Sequence, residues 1–64
     1  MKYRVKALGA QDDRPRYYRN YESMLRRIGD LRSYGHASMV TVNQNGWKSS
    51  HNSVFFFKAM PLPG

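Results

Sequence analysis

Asn20-Tyr21-Glu22-Ser23-Met24-Leu25-Arg26-Arg27-Ile28-Gly29-Asp30-Leu31-Arg32-Ser33-Tyr34-Gly35 is the stretch whose reading decides the fold. Asn is a preferred residue at helix N-termini, because its side-chain oxygen accepts from a backbone N–H that the helix leaves unpaired. After Asn20, the residues Tyr21, Met24, Leu25, Ile28 and Leu31 recur at three- and four-residue steps, the repeat of one helix face. At about 100° per residue they form a stripe about 120° wide, with Glu22, Arg26, Arg27, Asp30 and Ser33 outside it. Arg32 projects onto the stripe, but in the last turn a cation suits the helix dipole and its stem can reach water. Gly35 supplies the left-handed residue on which helices stop. An amphipathic helix must lay its apolar face on something, and the flanking segments supply it.

Upstream, Lys2 to Leu8 places Tyr3, Val5 and Ala7 on one side of an extended segment and Arg4, Lys6 and Leu8 on the other, the pattern of a half-buried strand. Gly9 to Pro15 is rich in turn formers, and Pro15 holds Arg14 away from helix, so the chain reverses into a short second strand, Arg16 to Arg19. Downstream, Ala37 to Asn43 contains the β-branched run Val40-Thr41-Val42, and Asn45-Gly46 is a hairpin signal. The polar stretch Gln44 to Ser53 reads as a long hairpin tip, and Val54 to Ala59 as the return strand. Pro61-Leu62-Pro63-Gly64 cannot continue a strand. The expectation is one α+β domain over residues 1–60 and a flexible tail over 61–64. It has ββαββ order and a small antiparallel sheet of three to four strands, with the helix packed on one face.

A chain of 64 residues has little room for a second domain or a deep cleft. Domains of this size bury only roughly 60% of the surface that their unfolded chain exposes. There is no cysteine, so neither a disulfide nor a thiolate metal site can add stability. Eleven Lys and Arg against four Asp and Glu give a formal charge of +7. That charge favours an acidic partner, although a soluble small domain commonly carries a net charge of about 2 to 8 for dispersal alone. No apolar run reaches the roughly 18 residues of a membrane span, and Met1-Lys2-Tyr3-Arg4 has no apolar segment of a signal peptide after it. The chain is therefore expected to be complete, soluble and cytoplasmic.

No residue set reads as an enzyme, and no cofactor or metal is expected. Asp12-Asp13 is the one carboxylate pair, but neighbours in a turn rarely converge on a substrate; hydrogen bonds to local backbone, or pairing with Arg14 and Arg16, suit them better. His36 and His51 fall short of the three or four ligands of a usual zinc site. Ser49, Ser50, His51 and Ser53 cluster in sequence, yet within the loop they are loop composition rather than a nucleophile and its base.

Binding residues are more legible. If Tyr3 and Val5 go under the helix, the two-residue period sends Arg4 and Lys6 outward, and with Phe55 and Phe57 inward it sends Phe56 and Lys58 outward. Phe56 among cations has three readings: a base-stacking platform, a protein-interface anchor, or cover for the second sheet face of a small protein or homodimer. Arg26 and Arg27, with Arg19 just before the helix and Arg14 and Arg16 in the preceding arm, form a second basic zone. Arg26 has Glu22 and Asp30 at four-residue spacing to brace it, while Arg27 has no acidic mate. Trp47, beside Lys48, is either an exposed hot spot at the hairpin tip or, if the sheet curls, part of the core.

The succession of Tyr3-Arg4-Val5-Lys6, a short polar turn, Tyr21-Glu22-Ser23-Met24-Leu25-Arg26-Arg27-Ile28 and Val40-Thr41-Val42-Asn43-Gln44-Asn45-Gly46-Trp47 resembles small phage-encoded inhibitors, among them anti-CRISPR proteins and a host RNA polymerase inhibitor. The likeness is one of element order and size over residues 3–58. It implies a stoichiometric inhibitor that docks on a nucleic-acid-handling complex in a bacterial cytoplasm, its positive face meeting an acidic protein surface or bound nucleic acid. Two alternatives stand beside it: a module that binds DNA or RNA directly through a basic, aromatic sheet face, and an accessory subunit or homodimer. A membrane partner is not expected, and the chain is read as a monomer or homodimer.

Overall fold

A computed structural model of the chain describes residues 2–60. The elements run β1 (Tyr3–Leu8), β2 (Arg16–Tyr18), α1 (Tyr21–Ser33), β3 (Ala37–Val42) and β4 (Ser53–Phe57). The four strands form one antiparallel sheet in the order β2-β1-β3-β4, with α1 packed on one face. This is the α+β architecture that the periodicities predict. The expected tail, 61–64, lies outside the described residues.

Both helix ends are fixed by the residues that announce them. Asn20 is extended, at φ −117° and ψ 157°, and its Oδ1 accepts from the Ser23 backbone N–H at 2.8 Å. At the other end Gly35 takes φ +83°. That turn lets the Gly35 N–H donate to the Arg32 carbonyl at 3.0 Å and the His36 N–H to the Leu31 carbonyl at 2.8 Å, a paired closure of the last turn.

Register assigns every strand side chain to a face. Tyr3 opposes Val42, Val5 opposes Val40 and Ala7 opposes Ser38, while across the next ladder Ser38 opposes Phe57 and Val40 opposes Phe55. These residues face the helix, and Val5, Ala7 and Val40 join Met24, Ile28 and Leu31 in the buried core. The alternate residues face the other way: Arg4 opposes Tyr17 and Thr41, and Lys6 opposes Met39, which opposes Phe56.

Two expectations about burial need correction. Tyr21 and Leu25 belong to the apolar stripe of α1 but are exposed. The buried trio Met24, Ile28 and Leu31 is centred to one side of the stripe, so the helix is rolled until Tyr21 and Leu25 flank the contact. Phe55 points toward the helix face as alternation requires, yet it too is exposed and Phe57 is only half-buried. The helix packs mainly on β1, β2 and β3, and of β4 only Phe57 packs against the core. A shallow apolar groove of about 170 Å³ runs where it stops, lined by Tyr21, Met24, Phe55 and Phe57 among others.

Ser38 is a flaw inside this core. Its residue is 0% exposed and its Oγ has no hydrogen-bond partner among the described residues. An unpaired buried hydroxyl costs about 1–3 kcal/mol. Ser38→Ala is expected to raise unfolding free energy by about 1 kcal/mol in a urea titration, and a loss of stability would show that the hydroxyl is satisfied. Asn20→Ala is expected to lower it by about 1 kcal/mol, because the Ser23 N–H then loses its acceptor.

Candidate binding surfaces

The sheet face opposite the helix is the first candidate. β1 presents Arg4 and Lys6 there, β2 presents Tyr17, β3 presents Met39 and Thr41, and β4 presents Val54 and Phe56. They form two rows across the strands. Tyr17, Arg4, Thr41 and Val54 make one, and Lys6, Met39 and Phe56 make the other.

Residues 43–52, between β3 and β4, fold back onto the first row. Trp47 meets the Tyr17 ring edge-on, with centroids 5.2 Å apart, and the Arg4 guanidinium lies 5.2 Å from the Trp47 ring centroid. Trp47 is half-buried as a result. It is therefore neither the free tip nor the core residue that the sequence allows, but a clasp on the open face. Thr41, on the outward side of β3, is only 4% exposed, which fits cover by this loop.

The loop holds its shape with uncharged groups. Asn52 Oδ1 accepts from the Gln44 N–H at 3.0 Å, Asn52 Nδ2 donates to the Gly46 carbonyl at 2.9 Å, and Gln44 Nε2 donates to Ser53 Oγ at 2.9 Å. Asn43 Oδ1 accepts from the Gly46 N–H at 2.6 Å, and Gly46 itself takes φ +92°. Asn45-Gly46 thus marks a bend inside a ten-residue connection rather than a two-residue hairpin turn. The serines and His51 read as loop composition are part of this connection, with Ser49 Oγ accepting from the His51 backbone N–H at 3.1 Å.

The second candidate is a cleft between β2 and α1, lined by Arg16, Tyr18, Ser23, Arg26, Arg27 and Asp30, with a volume of about 310 Å³. It gathers Arg16 and Arg27 as the sequence suggests. The bracing expected for Arg26 is not made, since among the described residues only Arg14 and Asp12 form an ion pair within 4 Å. An exposed ion pair gains little Coulomb energy against the freedom that two long side chains surrender.

That pair sits in the turn between β1 and β2. Asp12 Oδ1 accepts from Arg14 Nε at 3.1 Å and from the Arg14 backbone N–H at 3.3 Å. The side-chain hydrogen bond, followed by the backbone one and the guanidinium charge, holds the Asp12 carboxyl below its ordinary value of 3.8. Arg14 is correspondingly raised. The pair is present above the ordinary carboxylate range and is lost as pH falls through the lowered value.

The sequence-derived binding residues therefore split. Arg4, Lys6, Phe56 and Trp47 share the open face, while Arg16 and Arg27 line the cleft on the helix side. Arg19 is exposed in the link from β2 to α1, Lys48 is exposed beside Trp47 in the loop, and Lys58 is exposed just past β4. Tyr17, Met39 and Val54 complete the open face and went unnoticed in the sequence. Tyr17 could have been found by extending the two-residue alternation into β2.

His36 precedes β3 and His51 lies in the loop that follows it, so a strand of about 20 Å separates the two segments. Among the described residues no three His, Cys, Asp or Glu side chains come together as a metal site. No described helix is long and apolar enough to cross a membrane. No family model matches the chain, and neither a curated protein nor a solved structure matches it.

Trp47 is the sole tryptophan, so its fluorescence reports the clasp directly. Arg4→Ala is expected to shift its emission to longer wavelength and to increase quenching by iodide. Unchanged emission would mean that the loop is held without Arg4.

Proposed function

We propose that this chain is a small, non-catalytic binding protein that holds single-stranded nucleic acid on the open face of its sheet. The observation that carries the reading is charge segregation. The open face presents Arg4 and Lys6 with Tyr17, Trp47 and Phe56 and has no acidic residue. All four carboxylates lie elsewhere, at Asp12 and Asp13 in the first turn and at Glu22 and Asp30 on the helix.

Cations and flat rings on one surface suit a single strand, whose phosphates need positive charge and whose unpaired bases need something to stack on. Phe56 is the most exposed ring of the face and stands in register with Met39 and Lys6. A base on Phe56 leaves its phosphate within reach of the Lys6 ammonium. The Arg4–Trp47–Tyr17 group is already ordered, so docking a second base against it costs little side-chain freedom.

A second reading is favoured by the apolar character of β4. Val54, Phe55 and Phe56 are all exposed, and exposed aromatics anchor protein interfaces as readily as they stack bases. In that reading the chain is a stoichiometric inhibitor of the phage-encoded kind, docking on a bacterial nucleic-acid-handling complex whose surface is acidic.

Fluorescence anisotropy with labelled single- and double-stranded oligonucleotides over a salt series separates the two. The proposal expects micromolar binding to single strands that weakens steeply with salt. Phe56→Ala is expected to cost about 1–3 kcal/mol, the range for a lost base stack, and Lys6→Glu at least as much. Arg16→Ala with Arg27→Ala, in the cleft, should leave binding within a few-fold. No binding at low salt would reject direct recognition. Nuclease-resistant capture of one bacterial complex, inhibited at equimolar ratio, would then establish the inhibitor.

A further inference from the structure

A four-stranded sheet has two free edges, and this protein finishes them differently. β2 has three residues, follows Pro15, contains Arg16 and lies between Arg14 and Arg19. Shortness, proline and charge are the means by which natural sheets keep an edge from pairing with another chain. β4 has none of them within the strand, although Lys58 follows it directly. Ser53-Val54-Phe55-Phe56-Phe57 is five residues long, uncharged and free of proline, and it pairs with β3 residue for residue without a bulge. The helix covers it only in part: Phe57 is half-buried against the core, while Phe55 on that side and Val54 and Phe56 on the other are exposed.

Half of the exposed large hydrophobic side chains among the described residues lie there. Val54 is 47% exposed, Phe55 52%, Phe56 70% and Met60, just beyond the strand, 55%. These four side chains present on the order of 400 Å² per chain. Two chains joined along the edge would cover the strand backbones and the flanks of these side chains and leave their outer faces open, an interface at the low end for specific association, below about 1,200 Å².

We propose that β4 pairs antiparallel with β4 of a second copy of this chain, about a two-fold axis perpendicular to the sheet at Phe55, giving a continuous eight-stranded sheet. The register follows from self-complementarity. Centred on Phe55, all five residues pair: Phe55 meets the partner's Phe55, Val54 meets the partner's Phe56 and Ser53 meets the partner's Phe57. A two-fold axis placed one residue to either side pairs only three of the five.

No charge enters this seam. Lys58 falls opposite the partner's Asn52, and β2, with its arginines, lies at the far edge of each copy. A two-fold axis of this orientation keeps both helices on one side. The apolar grooves beside Tyr21 and Met24 then adjoin across the Phe55 pair, and the two open faces become one platform.

Sedimentation and light scattering test the pairing on the whole chain. The expected mass is twice the 7.5 kDa of one chain, with association that tightens as salt screens the +7 charge of each copy. Nucleic-acid binding would move the opposite way with salt, so the two readings fail separately. Phe55→Glu is expected to give single-chain mass with unchanged helical circular dichroism. Should that variant unfold, Phe55→Cys decides, because the chain has no other cysteine. Mild oxidation is expected to cross-link Phe55→Cys and to leave Tyr17→Cys, at the β2 edge, uncoupled. A wild-type mass of 7.5 kDa at every concentration would overturn the proposal and leave β4 to the strand of a different protein. Equal cross-linking of the two cysteine variants would overturn it as well.

Discussion

One helix about 10–12 Å across has to cover a sheet whose outer strand axes lie about 14 Å apart. It cannot cover all four strands, and where it sits decides what remains bare. Here α1 packs on β1, β2 and β3. Its buried residues, Met24, Ile28 and Leu31, meet Val5, Ala7 and Val40 near the middle of the sheet. The roll that centres those three leaves Tyr21 beside the groove, Leu25 exposed, and Phe55 of β4 largely uncovered. The exposed apolar edge is thus a geometric remainder of having four strands and one helix.

The same constraint sends the charges to their places. Because Tyr3, Val5 and Ala7 must face the helix, the two-residue strand period turns Arg4 and Lys6 to the opposite side. That side has no second helix, and the loop of residues 43–52 covers part of it instead. Trp47 reaches across from the loop to Arg4 and Tyr17, spanning the sheet from the β3–β4 connection to β2. A small protein here protects its second face with a single ring and a set of side-chain amides. The rest of that face stays open, carrying Lys6, Met39 and Phe56.

Most of the fold was legible because its signals are local. Asn20 and Gly35 end the helix where their chemistry requires, and the alternation in β1 and β3 places their side chains correctly. The failures share one cause, which is that sequence periodicity gives the direction of a side chain but not what lies opposite. Leu25 and Phe55 point where the pattern says, and neither is buried. Trp47 was ambiguous for the same reason, since nothing local says that a polar ten-residue connection folds back on the sheet. The sequence grouped Arg16 and Arg27 in one basic zone and Arg4 and Lys6 in another. Only the strand order, with β2 outermost beside β1, places Tyr17 near Trp47 and completes the open face.

The placement of β1 in the middle of the sheet also governs the order in which the chain can fold. β1 is made first, yet its main ladder is with residues 37–42, so the central pairing waits for a loop of about 28 residues to close. The pair β1–β2 joins only three positions, and β3–β4 must close the ten-residue loop. The β1–β3 ladder therefore requires the longest loop closure in the sheet.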